Sequence, residues 1–364
     1  MFNAYEFFNR INGVNPEARL DAGQPDIPVR EDIIEETIES LRRGETGYTS
    51  TEGMAELRER IAEIEGVSAD EVIVGPGAKI LIAAEIAAAK RVAVISPHWN
   101  AYSLISRQFG KEVNVIKTSL EDGWTPRVEE IDAELLILNY PNNPTGRVLA
   151  ESELRSILEA AEERGIKVLS DEVYAELSFK QFTPARELYD NVVTVKSFSK
   201  LYSMTGFRLG YAISERDEIR RIQRFIESTV TCVPPFIQRA GLKALELREE
   251  LSKEVREVYR RRVRMALKIL RGLDFLEPEG GFYIFLRVPM DSVIFAERLL
   301  SRGVAVFPGV AFGDYPNFIR ISLSGRGLER GLRVIREELE CALESRATEG
   351  WEGSSRGVSA EGLR

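Results

Sequence analysis

The sequence predicts an α/β fold in which a mostly parallel sheet is covered by helices. Short, continuous apolar runs alternate with amphipathic helical segments between residues 72 and 214. Continuous apolar runs are typical of parallel strands that are buried on both faces. Beyond residue 272 the pattern changes to strands interleaved with two helices, which indicates a smaller α+β unit. A chain of 364 residues is long enough for both parts.

The predicted elements follow one another without an internal repeat. Apolar residues at helical spacing predict helices over 30–43 and 52–65. Apolar runs rich in β-branched residues predict strands at 72–74, 91–95, 113–116, 135–138, 167–169, 192–195 and 209–213. Helices at 79–89 and 151–164 separate some of these strands, and a heavily charged helical stretch follows at 236–270. The last part has strands at 281–288, 304–307 and 318–323, with helices at 292–300 and 327–343.

Composition argues against several classes of protein. The net charge of −9 disfavours a nucleic-acid partner, because binding to phosphates relies on clustered Lys and Arg. Two cysteines, Cys232 and Cys341, are too few for a disulfide framework or a CxxC metal site, and the single histidine, His98, disfavours Ser-His-Asp and zinc chemistry. The chain has neither an apolar run of about 18 residues nor a signal-peptide pattern at its start, so we expect a cytoplasmic protein that does not cross a membrane.

Candidate functional residues follow the predicted strands, because ligands of open parallel sheets bind at the carboxyl ends of the strands. Residues 75–79 form a glycine-containing turn before a helix, where free backbone amides meet a helix N-terminus. This pattern favours an anion site, with an ordinary strand-to-helix turn as the alternative. Trp99 follows the next strand, where its ring can stack on a flat ligand or pack in the core.

Three further strands also end in polar residues. Asn143 lies in a loop with two prolines, and Asp171 and Tyr174 are three residues apart after their strand. Lys200 follows the last parallel strand together with two serines, and Arg208 comes eight residues later. Together these residues supply an anion cradle, an aromatic plate, an amide, a carboxylate, a phenol and a lysine. This set suits pyridoxal 5'-phosphate, which takes a lysine for its Schiff base, a carboxylate for its pyridine nitrogen and a cradle for its phosphate.

At these residues the chain resembles the class I/II, fold-type-I aminotransferases, particularly the aspartate aminotransferase group. The motifs are Ser197-Phe-Ser-Lys200, Met204-Thr-Gly-Phe-Arg208-Leu-Gly-Tyr, Asn143-Pro-Thr-Gly, Asp171-Glu-Val-Tyr174 and Tyr48-Thr-Ser-Thr-Glu-Gly, all in family order. The resemblance covers about residues 20 to 343. It implies a mostly parallel seven-stranded sheet in a large domain at 31–270. It also implies a small α+β domain built from 1–30 and 271–346, and we expect 347–364 to be a mobile tail.

The resemblance also implies catalytic roles. Lys200 would form the Schiff base with pyridoxal 5'-phosphate and shuttle the proton between the substrate and the cofactor. Asp171 would pair with the pyridinium nitrogen. Tyr174 and Asn143 would hold the ring's 3-oxygen, and Trp99 would stack on the ring.

Further residues are implied for the phosphate and the substrate. The phosphate would lie among the backbone of Gly77, Ala78 and Lys79, the hydroxyls of Ser197 and Ser199, and Arg208. Tyr48 would reach the phosphate of a neighbouring subunit, so a homodimer is expected. Arg320 would bind the substrate α-carboxylate, with Asn143 beside it and Gly23 on the other side. The Asn143–Pro144 bond is expected to be cis, as in relatives.

The implied reaction moves an amino group from an L-amino acid to a 2-oxo acid such as 2-oxoglutarate by a ping-pong mechanism. Aspartate is the first choice of donor, followed by aromatic or alanine-type amino acids. Lys79, His98 and Tyr140 lie near the relevant loops, but no local pattern assigns one of them to the substrate side chain. Tyr140 stands where many relatives have a small residue, and its effect on the pocket is left open.

Three alternatives are weaker. A pyridoxal-phosphate β-lyase or a cyclopropane-forming synthase shares almost all of these residues. Ser197-x-x-Lys200 also spells the SxxK motif of serine β-lactamases and penicillin-binding proteins, but the companion SDN and KTG motifs are missing. A cofactor-binding sensor would need a DNA-binding module, and the segment before Asp21 is too short for one.

Overall fold

The computed structural model describes residues 4–127 and 131–352. The strands in chain order are β1 (Ala18–Arg19), β2 (Val72–Gly75), β3 (Arg91–Ser96), β4 (Glu112–Lys117), β5 (Leu135–Asn139), β6 (Lys167–Asp171), β7 (Val192–Ser197), β8 (Gly210–Ile213), β9 (Tyr283–Arg287), β10 (Val304–Ala305), β11 (Phe307–Pro308) and β12 (Phe318–Ser322). The helices are α1 (Ala4–Val14), α2 (Glu31–Arg42), α3 (Ala55–Glu65), α4 (Ala78–Ala88), α5 (Ala101–Gln108), α6 (Glu151–Glu162), α7 (Arg216–Thr229), α8 (Pro235–Glu246), α9 (Arg248–Ile269), α10 (Ser292–Ser301) and α11 (Leu328–Glu352).

The large sheet contains the seven predicted strands in the order β2-β8-β7-β6-β5-β3-β4. The pairs β3–β4, β3–β5, β5–β6 and β6–β7 are parallel, whereas β8 is antiparallel to both β2 and β7. The prediction of an α/β fold with a mostly parallel seven-stranded sheet is confirmed.

Both faces of the sheet are buried, which explains the continuous apolar runs. In β5, Ile137 packs in one apolar cluster with Leu81 of α4, while Leu136 packs in another with Ile157 of α6. Successive side chains of a strand point to opposite faces, so every position of such a strand must be apolar. The helices therefore cover the sheet on its two sides and leave the strand ends free for polar groups.

The C-terminal part forms a second, smaller sheet. Strands β11, β12 and β9 are antiparallel neighbours in that order. In addition, β1 pairs in parallel with β10, Ala18 opposite Val304. The N-terminal segment is thus tied to the C-terminal part of the chain, although the exact domain boundaries stay a prediction.

Several element boundaries differ from the prediction. The stretch 236–270 is two helices, because the backbone turns at Leu247, which ends α8 and precedes an acidic first turn of α9. The run 304–307 is two short strands that pair with different partners, β1 and β12. Helix α1 was not predicted. Helix α11 continues to Glu352, six residues into the segment expected to be a tail, and residues 353–364 lie outside the described part.

Two further observations concern the backbone and the surface. In the described residues, the cis peptide bonds are Ser96–Pro97 and Tyr140–Pro141, so the expectation of a cis bond at Asn143–Pro144 is wrong. Pro144 lies in a turn closed by the Gly146 amide on the Asn142 carbonyl at 2.9 Å, and a trans proline fits the start of such a helix-like turn. Among the helices that the structure describes, none combines the length and apolar character needed to cross a membrane.

Candidate active site

A cavity of about 510 Å³ opens at the carboxyl ends of the parallel strands. Most predicted site residues line it: Gly23, Ala78, Lys79, Trp99, Asn143, Tyr174, Ser197, Ser199, Lys200, Arg208 and Arg320. Side chains that sequence reasoning did not assign also line it, among them Phe8, Tyr102, Asn139, Tyr283, Phe307 and Phe312. The cavity therefore unites polar residues with an aromatic wall, to which the small sheet's part of the chain contributes Tyr283, Phe307 and Phe312.

Lys200 follows β7 and lines the cavity with a partly buried side chain. Its Nζ donates a hydrogen bond to the Gly23 carbonyl oxygen at 2.5 Å and lies 5.4 Å from the Tyr174 ring centroid. Burial, and then the charge of Arg320, lower the pKa of Lys200 to about 8, although the Asp171 charge opposes them. The amine is thus prepared to act as a nucleophile and as a proton carrier near neutral pH.

Asp171 ends β6 and lies just behind the cavity wall. Its Oδ2 accepts a hydrogen bond from the Tyr102 hydroxyl at 2.5 Å, and its Oδ1 accepts one from the Val173 amide at 3.3 Å. Burial raises the pKa of Asp171 to about 6, because the hydrogen bonds and the Lys200 charge offset only part of the desolvation. The carboxyl is therefore mostly ionised at pH 7.

Arg320 enters the cavity from β12. Its Nη1 donates to Asn143 Oδ1 at 3.0 Å, its Nη2 donates to the Asp21 carbonyl, and its guanidinium carbon lies 4.5 Å from the Tyr283 ring centroid. Its Nε is buried and has no hydrogen-bond partner in the described part of the chain. A buried, unpaired guanidinium donor is costly unless a ligand uses it, so the site is suited to a carboxylate.

The N-terminus of α4 and Arg208 form the predicted anion cradle. Gly77 has φ +84°, and a side chain there would collide with the Arg208 guanidinium. The Gly77 amide already donates to the Gly75 carbonyl at 2.7 Å, and Gly77 is not among the residues that line the cavity. The helix amides from Ala78 onward, with Ser197, Ser199 and Arg208, are therefore the donor groups available here to an anion.

Tyr174 lies beside Lys200, and its hydroxyl is hydrogen-bonded to that of Tyr283 at 2.8 Å. Burial, with Tyr283 adding to it, holds the pKa of Tyr174 well above its usual range, so its hydroxyl stays protonated. Tyr48 is apart from this cavity and is 90% exposed. Its predicted role therefore requires a second subunit.

The structure places the three residues considered for recognition of the substrate side chain in different environments. Lys79 lines the cavity, with its Nζ 5.1 Å from the Trp99 ring centroid. His98 is instead buried against Ser103, with its Nε2 2.7 Å from Ser103 Oγ, and burial lowers its pKa to about 4. Tyr140 packs in the same apolar cluster as Leu138 and is not among the residues that line the cavity. Side chains alternate along the extended chain from β5, which sends Tyr140 to the opposite face from Asn139.

The serine-hydrolase alternative has no geometric support. Ser197 Oγ accepts a hydrogen bond from the Ser199 amide at 3.1 Å, while the Lys200 amine donates its hydrogen bond to the Gly23 carbonyl.

Sequence reasoning did not assign Tyr102 to the site. The signal that could have revealed it was its position about one helical turn after Trp99, at the start of α5.

Comparison with known proteins shows the family of the chain. The family model of aminotransferase class I and II matches residues 16–335. The chain is 82% identical to the aspartate aminotransferase of Thermococcus kodakarensis over 364 residues, which is 100% of both chains. It is 36% identical to the aspartate aminotransferase of Thermotoga maritima, covering 90% of this chain and 91% of the relative. The solved structure of Thermus thermophilus aspartate aminotransferase with maleate has a TM-score of 0.84 at 33% identity, covering 93% of this chain and 95% of that one.

The structural matches show that the chain has the fold of the fold-type-I aminotransferases. The chain belongs to the class I and II aminotransferases, enzymes that transfer amino groups. The predicted family is thus confirmed. The alternatives of a β-lyase or a cyclopropane-forming synthase are not favoured by these relatives.

Proposed function

We propose that this enzyme uses pyridoxal 5'-phosphate to transfer the amino group of aspartate to a 2-oxo acid such as 2-oxoglutarate. The observation that carries the proposal is that a partly buried lysine and an anion cradle line one cavity, with a buried carboxylate bonded to a tyrosine of its wall. Asp171 ends strand β6, whereas Lys200 and Arg208 both lie in the connection between β7 and β8. The ends of parallel strands meet at one edge of a sheet whatever residues follow them, but this cofactor needs all three of these groups there.

The donor set fits the cofactor. Arg208 would hold the phosphate with Ser197, Ser199 and the first amides of α4, since the space at Gly77 is filled by the guanidinium. Asp171, kept in place by Tyr102, would keep the pyridine nitrogen protonated. Bound pyridoxal 5'-phosphate would supply an aldehyde for amines and a ring that accepts electrons from the substrate α-carbon.

The chain's own groups would then act on the substrate. Arg320 would hold the α-carboxylate through its unpaired Nε and orient the α-hydrogen toward Lys200. Lys200 would take that proton and return it, which its pKa of about 8 favours near neutral pH. Trp99 would cover the ring, and Tyr174 and Asn143 would hold the ring's oxygen.

The proposal that aspartate is the amino donor depends on Lys79. The cationic side chains in the described lining of the cavity are Lys79, Lys200, Arg208 and Arg320. The last three have assigned roles, and Lys79 forms no ion pair with a described carboxylate, so its amine can receive a second carboxylate. The most similar relative reported above is an aspartate aminotransferase, and the Thermus thermophilus enzyme was solved with maleate, a dicarboxylate. The apolar wall with Phe307 leaves aromatic or alanine-type donors as the next choice.

We further propose a cytoplasmic homodimer in which Tyr48 reaches the neighbouring site, with no nucleic-acid or membrane partner. The exposure of Tyr48 and the family's Tyr48 motif support this arrangement.

The test is a single half-reaction. Purified enzyme that contains the cofactor is mixed with aspartate, alanine, phenylalanine or cysteine and no 2-oxo acid, and its visible absorption is followed. We expect aspartate to bleach the yellow band once, releasing one oxaloacetate per site. Lys200→Ala serves as the control, which should bind no cofactor covalently. A band that returns while pyruvate and ammonia accumulate would indicate a lyase, and no band after added pyridoxal 5'-phosphate would refute the cofactor.

A further inference from the structure

Glu65 is a buried carboxylate outside the cavity that binds donors from three segments. It ends α3, and its side chain is 4% exposed. Lys196 Nζ donates to Glu65 Oε1 at 2.8 Å and to Oε2 at 3.0 Å, Arg186 Nη2 donates to Oε2 at 2.8 Å, and the Tyr211 hydroxyl donates to Oε1 at 2.7 Å. Burial favours a raised pKa for Glu65, but Lys196, Tyr211 and Arg186 together hold that pKa below its usual range.

Two of these donors are next to the anion cradle. Lys196 in β7 and Tyr211 in β8 are register partners, and the next pair along is Ser197 and Gly210. Ser197 lines the cavity. Since side chains alternate along a strand, Lys196 points away from the cavity where Ser197 points into it. Glu65 therefore binds both strands from behind, one residue away from the cradle.

The packing around Gly210 transmits the position of these strands to helix α4. A side chain at Gly210 would lie 2.7 Å from the Ala78 amide nitrogen and 2.9 Å from the Lys196 carbonyl oxygen, so the three backbones are in close contact. A shift of the β7–β8 pair would therefore move Ser197 relative to the first amides of α4.

We propose that Glu65 is a positioning residue for the cofactor phosphate. By fixing Lys196 and Tyr211, it sets the spacing between the Ser197 hydroxyl and the amides at the start of α4. The inference rests on the proposed function, since the phosphate belongs to the proposed cofactor.

The test compares two ligands that differ only in the phosphate. Cofactor-free protein, prepared from the purified holoenzyme, is titrated with pyridoxal 5'-phosphate and with pyridoxal, and dissociation constants are read from the visible absorption. For Glu65→Gln we expect the affinity for pyridoxal 5'-phosphate to fall about tenfold, as for a lost hydrogen-bonded charge, and that for pyridoxal to change by less than about twofold. A merely structural role would weaken both ligands alike.

The matched control is Glu218→Gln, which removes another ion-paired carboxylate, bound to Lys167 at the opposite end of β6 from the cavity. It should leave both affinities unchanged. Equal losses for both ligands, or no loss for Glu65→Gln, would overturn the inference. If Glu65→Gln does not fold, Tyr211→Phe removes one of the four hydrogen bonds and should still weaken only the phosphorylated ligand; an unchanged ratio would refute the role. A wild-type protein that binds no pyridoxal 5'-phosphate would instead refute the proposed function.

Discussion

The Tyr102 hydroxyl donates a hydrogen bond to Asp171 Oδ2 at 2.5 Å, and both side chains are buried. This bond offsets part of the desolvation that raises the pKa of Asp171 to about 6. Tyr102 lies at the start of α5 and Asp171 at the end of β6, so the bond joins a helix and a strand at the site. In the proposed reaction, Tyr102 would act through the carboxylate that would face the pyridine nitrogen.

Replacing Tyr102 by Phe is therefore expected to shift the pH dependence of catalysis. Removing a donor to the carboxylate disfavours its ionised form, so the pKa of Asp171 rises. The acid limb of the kcat/KM profile should move to higher pH, and kcat at pH 7 should fall about tenfold, the cost of one hydrogen bond to a charged group. Steady-state rates from pH 5 to 9 measure both effects. An unshifted acid limb would show that Tyr102 does not influence Asp171.

The amine of Lys200 is expected to titrate far below that of a surface lysine. Its pKa is lowered to about 8 by burial and then by Arg320, whereas Glu246 raises the pKa of Lys243 on the surface. Competitive acetylation of cofactor-free protein, read by peptide mass spectrometry, should label Lys200 at lower pH than Lys243. Removing the nearby positive charge in Arg320→Gln should raise the midpoint for Lys200. Equal midpoints for the two lysines in the wild type would contradict the burial argument.

The proposed carboxylate-binding roles of Arg320 and Lys79 can be distinguished by comparing different amino-acid substrates. Arg320→Gln should raise KM for aspartate, alanine and phenylalanine alike, by about 10- to 100-fold, because every donor has an α-carboxylate. Lys79→Gln should raise KM for aspartate and leave that for alanine unchanged. KM values measured for the three donors decide the matter. A general rise for Lys79→Gln would place that side chain at the cofactor instead.

The role of Tyr48 can be tested by mixing subunits. Lys200→Ala lacks the amine, and Tyr48→Phe should weaken cofactor binding by removing a phosphate donor. In a mixed dimer, one site combines Lys200 from one subunit with Tyr48 from the other and is complete. We expect that site to regain wild-type affinity for pyridoxal 5'-phosphate in a titration of the separated heterodimer. If the heterodimer binds no better than Tyr48→Phe alone, Tyr48 does not act across subunits.

The fold and most of the site could be predicted because their signals are local. The alternating burial of Leu136 and Ile137 produces a continuous apolar run, and polar residues after such runs must meet at one edge of the sheet. Contacts distant in sequence could not be predicted in the same way. Arg320 meets Asn143 across 177 positions, and Lys200 reaches the carbonyl of Gly23 across the same separation. No local periodicity encodes such pairs.

The sequence also does not show which strands the run 304–307 pairs with, or to which face of the sheet Tyr140 points. The run 304–307 looks like one strand, yet Val304 pairs with Ala18 and Phe307 with Arg320. Tyr140 directly follows the strand β5, and whether it points to the cavity depends on the phase of that strand. A shift of one residue reverses the answer, and the apolar pattern of a strand buried on both faces does not reveal the phase.

The last prediction concerns a buried cluster of charged side chains between α4 and α7. Arg221 contacts the carboxylates of both Glu85 and Glu218, and Lys167 contacts Glu218 at 2.6 Å. Glu85 Oε2 is buried and has no partner in the described residues. Burial raises the pKa of Glu85, whereas two cations hold the pKa of Glu218 low against the desolvation.

Glu85→Gln should therefore change how stability depends on pH. Where Glu85 is protonated in the folded chain but ionised in the unfolded one, the folded state binds the extra proton, so wild-type stability falls as pH rises above the usual carboxyl range. Glutamine has no such proton, and the free energy of unfolding of Glu85→Gln relative to wild type, measured by denaturant titration, should increase from pH 5 to 8 by at most about 1.4 kcal/mol per pH unit. Glu218→Gln removes a carboxylate that is ionised throughout this range, so its destabilisation should not vary with pH. A flat difference for Glu85→Gln would mean that Glu85 is ionised in the folded protein and that Arg221 neutralises it fully.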